Sequence, residues 1–256
     1  MEAGVSMEEK GKKEFSRSVD NAVRLIACYA DKEERGISEL ARELDLSKAS
    51  VARIVASLEK GRFLMQNPET GKYRLGVGMM LYGSLARERN ELANALAPAM
   101  RNIAQKYQST THLATLTGSE LMIINKISAG PFVYMTSRVG GTLQAHATAA
   151  GKCILAYLDE PRLQEYLENA KLDKLTDNTI TDKNRLIEVL RLIRERGYSV
   201  DDEESHEGLY CIAVPVFDVT KKPIAAMSIS GRKELLSAQE EDIVRYLHAT
   251  LKEYLT

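Results

Sequence analysis

The most constraining stretch of the 256-residue chain runs from Gly36 to Leu75, where a helical apolar rhythm gives way to a turn between two short extended segments. Ile37, Leu40, Ala41 and Leu44 share one helical face, and Ser47 stands where an N-cap belongs. The next helix carries Val51, Ile54, Val55 and Leu58 inward, with Lys48, Ala49, Ser50, Arg53 and Ser57 outward. Lys60-Gly61 is expected to close it, the glycine supplying a left-handed cap. Phe63 to Gln66, the turn-forming Asn67-Pro-Glu-Thr-Gly71 and Lys72 to Leu75 then read as a hairpin. Upstream, Val19, Val23, Ile26, Ala27 and Ala30 recur at three- and four-residue steps, which predicts a first helix ending near Asp31 with these residues as its apolar stripe. Three helices and a hairpin of this size predict a winged helix-turn-helix over residues 15–75, behind a polar tail, 1–14, expected to be disordered.

Charge supports a nucleic-acid partner locally, although the whole chain has a net charge of -1. Between Leu46 and Leu75 the basic residues are Lys48, Arg53, Lys60, Arg62, Lys72 and Arg74, against Glu59 and Glu69 alone. Ser47, Lys48, Ala49, Ser50 and Arg53 are the expected reading face in the major groove, while Lys72, Tyr73 and Arg74 are expected to reach the DNA backbone from the wing. A winged helix can also bind protein through such a face.

The three cysteines, Cys28, Cys153 and Cys211, fit neither a disulfide framework nor a zinc cluster, which points to a reducing cytoplasm. No apolar run has membrane-spanning length, so no membrane partner is expected. Residues 76–92 predict a linker helix whose Met79, Met80, Leu81, Leu85 and Leu92 suit pairing with a second copy or packing on the same domain. Pro98 is expected to bend or restart this helix.

After Gln108 the texture changes to strands at 111–117 and 120–127, with a third candidate at 132–137. Helices follow: one from the stretch Ser137 to Tyr157, one near 161–169, and one from a Thr181 cap to Gly197. Strands at 198–202, 210–216 and 224–230 come next, and Ser237 with Glu240 forms a capping box for a last helix to about Leu255. This order predicts an α+β domain over 93–256, a largely antiparallel sheet flanked by helices and suited to a small-molecule pocket. Its helix start near Ala149 could offer open amides to an anion, whereas Lys152, further along, is expected toward solvent. Ser228 and Ser230, two apart on one strand, point to the same side of the sheet, which Cys211 on a neighbouring strand can share. Read singly, Cys211 also suits a buried small hydrophobe, Asp201 a turn brace and His146 a satisfied core histidine.

These residues resemble the isocitrate lyase regulator (IclR) family of bacterial and archaeal transcription factors. The amino-terminal part of the resemblance lies in Ile-Ser-Glu-Leu-Ala-Arg-Glu-Leu-Asp-Leu-Ser-Lys-Ala-Ser and Lys-Tyr-Arg-Leu-Gly. The more specific part comprises Ser137-Arg-Val-Gly-Gly141, His146-Ala-Thr-Ala-Ala-Gly-Lys152, Thr179-Ile-Thr-Asp182, Gly197-Tyr-Ser-Val-Asp-Asp-Glu-Glu204, Cys211-Ile-Ala-Val-Pro-Val-Phe-Asp218 and Met227-Ser-Ile-Ser-Gly231. The resemblance implies a transcriptional regulator that binds double-stranded operator DNA, with a GAF-like effector-binding domain, a homodimer or dimer of dimers, and no cofactor or metal. Its implied effector is a small, carboxylate-bearing metabolite. Ala149 and Ala150 would offer amides to the carboxylate, Asp201, Cys211, Ser228 and Ser230 would line the polar side, and Phe132, Met135 and Leu143 would close the apolar side. Two other readings remain open: a redox-sensing regulator working through Cys211 or Cys153, and a GAF-like thiol enzyme.

Overall fold

Apolar residues at helical spacing need a partner surface, and in the amino-terminal unit they find it in one another. The computed structural model describes residues 15–130 and 137–254. The described chain falls into two units, meeting between Arg89 and Asn90. The first contains α1 (Arg17–Ala27), α2 (Ile37–Leu44), α3 (Lys48–Lys60), β1 (Leu64–Gln66), β2 (Tyr73–Leu75) and α4 (Gly78–Glu88). Leu25, Leu40, Leu44, Val51, Val55 and Leu64 form its core, and β1 pairs antiparallel with β2 as the wing. Arg35 ties these parts together: its Nε donates to the Cys28 carbonyl at 2.6 Å, its guanidinium pairs with Asp31 and Glu43, and its backbone bridges to Tyr73.

Two expectations about this unit are corrected. The α1 stripe of Val19 and Val23 faces outward, at 62% and 61% exposure, and the core instead takes Leu25, Cys28 and Tyr29. The helix carries two apolar stripes, and periodicity alone does not say which one the other helices cover. At the end of α3, Gly61 keeps a right-handed φ of -77°, and Arg62 takes the left-handed conformation at φ 60°. Glycine at 61 answers to packing, since a Cβ there would stand 2.9 Å from the Phe63 ring.

The second unit opens with α5 (Glu91–Tyr107), which Asn90 caps by accepting the Ala93 amide at 3.0 Å. The helical break therefore lies at Arg89-Asn90, while Pro98 sits inside an uninterrupted α5. The proline removes one helical hydrogen bond, but Leu96, Ala99, Met100 and Ile103 are fully buried around it and hold the helix to the sheet.

That sheet contains β3 (Thr110–Thr117), β4 (Glu120–Ser128), β5 (Thr142–Gln144), β6 (Ser199–Asp202), β7 (Leu209–Phe217) and β8 (Pro223–Arg232). Among the described residues its order is β5-β4-β3-β8-β7-β6, and every neighbouring pair is antiparallel. Strand alternation sends Ile212, Val214, Met227 and Ile229 against α5 and α10 (Glu240–Tyr254). It sends Cys211, Ala213 and Ala226 the other way, against α6 (Ala149–Leu155), α7 (Glu160–Asn169) and α8 (Lys183–Arg196). A short α9 (Lys233–Leu236) follows β8.

The strand candidate at 132–137 lies, except for Ser137, outside the described residues, and the edge strand is the short β5 within the polar run after Gly141. Asp182, not Thr181, caps α8, because its carboxylate accepts the Arg185 amide at 2.7 Å. Ser237 opens a 3-10 turn and donates back to the Lys233 carbonyl at 2.7 Å, so the expected capping box does not form. Glu240 instead accepts the hydroxyls of Tyr198, at 2.7 Å, and Tyr210.

The start of α6 approaches the preceding 3-10 turn too closely for any side chain at Gly151. A Cβ there would stand 2.2 Å from the Ala145 carbonyl oxygen. Gly151→Ala is therefore expected to destabilise the second unit by about 1–3 kcal/mol, read as a lower denaturation midpoint by circular dichroism. An unchanged midpoint would mean that α6 does not sit this close.

Candidate functional site

The first candidate surface lies on α3 and the wing. Ser47 Oγ accepts the Ser50 amide at 3.1 Å, so the cap forms as the sequence predicts. Lys48, Ala49 and Arg53 are exposed and Ser50 is half-buried, on the face opposite Val51 and Val55. Of the three wing residues only Arg74 is exposed. Tyr73 packs against the core and Lys72 Nζ lies 3.6 Å from Glu39 Oε1, so both also hold the fold together.

The second surface is internal and grows from strand register. Asp201 pairs with Cys211, Cys211 with Ser230, and Ser230 with Thr110, a polar row across four strands. The adjacent row on the same side of the sheet aligns Ser228 with His112. These rows floor a cavity of about 20 Å³, room for one water molecule. Its apolar wall is Leu121, Ile123 and Leu143, and its roof is Thr148, Ala149 and Ala150 at the start of α6. Thr148 caps α6 through the Gly151 amide at 3.2 Å, and the Lys152 amide bonds the Thr148 carbonyl at 2.9 Å. Ala149 and Ala150 thus occupy the first turn, where helix amides lack intrahelical acceptors. Of the residues named from the sequence, Leu143, Ala149, Ala150, Asp201, Cys211, Ser228 and Ser230 meet at this cavity, while Phe132 and Met135 lie outside the described residues.

His112, Thr148, Leu121 and Ile123 were not anticipated as lining residues. His112 bridges the site, its Nε2 3.0 Å from Ser137 Oγ and its Nδ1 3.5 Å from Ser230 Oγ. Burial lowers its pKa to about 4, helped by the charge on Lys126, so at neutral pH it is an uncharged donor and acceptor. The available signal was a histidine in the first strand of the domain, but its role depends on that strand meeting β8.

Beneath the cavity Lys152 is buried, not turned to solvent, and its ammonium pairs with Glu204. A seven-residue helix between two buried layers has no solvent face for it. Asp201 accepts the amides of Glu204 at 2.8 Å and Ser205 at 3.2 Å, as well as the Ser205 hydroxyl at 2.5 Å, so it braces this turn while lining the cavity. Burial raises the pKa of Asp201 above the usual carboxylate value and pushes Glu204 up to about 7 against the opposing pull of Lys152. His146 is a buried core histidine satisfied at one nitrogen, with Nε2 3.1 Å from the Asp173 carbonyl oxygen and Nδ1 buried without a hydrogen-bond partner among the described residues. Burial also pushes the thiols of Cys153 and Cys211 up, the reverse of what a redox sensor or thiol nucleophile needs. Among the described residues no cluster of His, Cys, Asp and Glu could hold a metal ion.

A winged helix with cationic residues exposed on its third helix, joined to an α+β domain with a small cavity of mixed polar and apolar lining, defines a transcription regulator with separate DNA-reading and sensing units. Residues 18–68 match the IclR helix-turn-helix domain, and residues 85–254 match the family described as bacterial transcriptional regulator IclR C-terminal. The chain is similar to the HTH-type transcriptional regulator KdgR of Escherichia coli (strain K12), 32% identical over 236 residues that cover 92% of this chain and 90% of KdgR. The crystal structure of the Thermotoga maritima IclR aligns with a TM-score of 0.73 at 31% identity, covering 93% of this chain and 95% of that one. The fold also matches an IclR homologue from Microbacterium hydrocarbonoxydans complexed with 4-hydroxybenzoate, with a TM-score of 0.81, 24% identity, and 93% and 98% of the two chains covered. The chain belongs to the IclR family and is a DNA-binding transcriptional regulator of that type.

Breaking the buried Lys152-Glu204 pair should destabilise the second unit by leaving one charge without its partner. Removing one partner, as in Lys152→Met or Glu204→Gln, is expected to cost about 3–5 kcal/mol, and Lys152→Met with Glu204→Leu much less than the sum. Because burial raises the folded pKa of Glu204 from 4.5 to about 7, the stabilisation that comes from protonating this buried carboxyl, as distinct from its pairing with Lys152, is fully present below 4.5 and lost as pH rises through 7. Unfolding midpoints measured from pH 5 to 8 should therefore fall less steeply in Glu204→Gln than in the parent. Parallel profiles would show that Glu204 does not titrate in this range.

Proposed function

We propose that this regulator senses a small metabolite with a carboxylate on a compact body, held in the cavity under α6, and that occupancy changes its affinity for operator DNA. The observation that carries this reading is the meeting of Ser228, Ser230 and His112 with the first turn of α6 around one internal space. The carboxylate is assigned to the amides of Ala149 and Ala150, because a helix start favours negative charge and Asp201 across the cavity would repel it when ionised. His112, Ser228 and Ser230 would receive the remaining polar groups, with Leu143 and the neighbouring apolar wall against the body of the molecule. Phe132 and Met135 stay in the proposal as apolar contacts. The Microbacterium homologue's complex with 4-hydroxybenzoate, an aromatic carboxylate, is the same ligand chemistry. At about 20 Å³ the cavity requires its lining to move before such a molecule enters, so binding and conformational change are coupled.

On DNA, α3 would enter the major groove with Ser47, Lys48, Ala49, Ser50 and Arg53, while Arg74, with Lys72 and Tyr73 behind it, meets the backbone. Two reading helices on one face of a duplex require a homodimer, alone or as a dimer of dimers. Phe15, Val19 and Val23 before and along α1, and Met80, Leu81 and Tyr82 on α4, are the exposed apolar residues that pairing would cover. The protein would work in the cytoplasm as a non-enzymatic regulator, and no described helix is long and apolar enough to cross a membrane.

Gel-shift titration on DNA flanking the protein's own coding region tests the DNA assignment. Arg53→Ala is expected to weaken sequence-specific binding by about 1–3 kcal/mol, and Arg74→Ala to lower the salt slope by about one without changing sequence preference. Retention of full specificity by Arg53→Ala would remove α3 as the reading element. For the sensing unit, a thermal-shift panel of carboxylate metabolites should find stabilisers whose effect weakens at least about tenfold in Ser228→Ala and Ser230→Ala, with ligand-free DNA binding retained. A carboxylate that acts equally on both variants would place its site elsewhere.

A further inference from the structure

The roomier concavity of the second unit lies outside the cavity under α6. Between the start of α7, α8 and the β7–β8 turn, a groove encloses about 690 Å³, within the roughly 300–1,000 Å³ of ordinary ligand sites. Five cations, Arg162, Arg191, Arg194, Lys221 and Lys222, line it, against the two acids Asp159 and Glu160, an excess of three positive charges. Both acids are engaged locally: Asp159 accepts the Arg162 amide at 3.1 Å, and Glu160 accepts the Gln164 side-chain amide at 2.9 Å.

Arg194 is fixed in place. Its Nε donates to the Ala156 carbonyl at 2.6 Å and its Nη2 to the Leu158 carbonyl at 3.0 Å, with the guanidinium 5.9 Å from the Tyr157 ring. Tyr157 is in turn held edge-on against Phe217 at 5.0 Å. Carbonyl oxygens orient the guanidinium without cancelling its charge. On the opposite wall, Lys222 stands on a turn fixed by Asp218, whose carboxylate accepts the amides of Thr220 at 2.8 Å and Lys222 at 2.9 Å. Leu163, Ile187 and Leu190 add apolar surface between the two walls. Cations on facing walls of a concave space favour a compact molecule with at least two anionic groups over an extended strand, which a convex or open surface would suit better.

We propose that this groove is a second ligand site, for a small organic polyanion whose phosphate or carboxylate groups reach Arg191 and Arg194 on one side and Lys222 on the other. It is independent of the effector assignment, because it shares no residue with the cavity under α6. Titration calorimetry on the full chain at fixed ionic strength, with inorganic pyrophosphate in one arm and propane-1,2,3-tricarboxylate in the other, tests it. Saturable binding near one per chain is expected in at least one arm, and the responding arm assigns phosphate or carboxylate chemistry. The double variant Arg191→Glu/Lys222→Glu, with folding checked by circular dichroism, should lose at least about tenfold in affinity, and Ser228→Ala should lose none. No saturable heat in either arm, or affinity unchanged in the folded double variant, overturns the proposal. Loss in Ser228→Ala instead would return the polyanion to the cavity under α6.

Discussion

Helix α6 carries a charged side chain into the layer it shares with the sheet, and there Lys152 finds Glu204. A seven-residue helix buried at every position brings a full ammonium group with it, and an unpaired charge in that layer would cost several kcal/mol. The turn that supplies Glu204 is itself fastened by Asp201, so the ion pair, the turn and the polar end of the cavity form one assembly. The first turn of α6 then follows: with Gly151 pressed against Ala145, Ala149 and Ala150 have one place to be. The first-turn residues that line the cavity are positioned beside a charge pair that does not line it.

What could be read from the sequence divides along the range of the interactions. Helices α2 and α3, the Ser47 cap and the wing depend on neighbours within about one turn or hairpin, and each emerges from spacing and turn chemistry. Ser228, Ser230 and Cys211 were legible as sharers of one side of the sheet because strand alternation has a period of two. Where two local answers were equally good, a distant partner chose between them. The outward stripe of Val19 and Val23 is a case of this kind, whereas Gly61 beside the Phe63 ring and the Asp182 cap on the Arg185 amide turn on side-chain geometry within a few residues that spacing does not reveal.

Lys152 and His112 show the same limit in the site. A lysine on a helix usually extends to water, and its burial follows from a glutamate 52 residues away. His112 belongs to the cavity because β3 pairs with β8, placing it opposite Ser228. Neither relation leaves a mark in the local pattern. The resemblance to a known family supplied the location of the cavity without this histidine or the pair beneath it.

The sheet order carries a consequence for how the chain is made. The central neighbours β3 and β8 are separated by more than a hundred residues, so the middle of the sheet cannot close until the residues of β8 have left the ribosome. The winged helix needs nothing beyond residue 89 and can be complete long before. Until then the newborn chain carries a finished DNA-reading unit followed by strands without their partners. With β8 and α10 that open half becomes the unit able to sense a ligand.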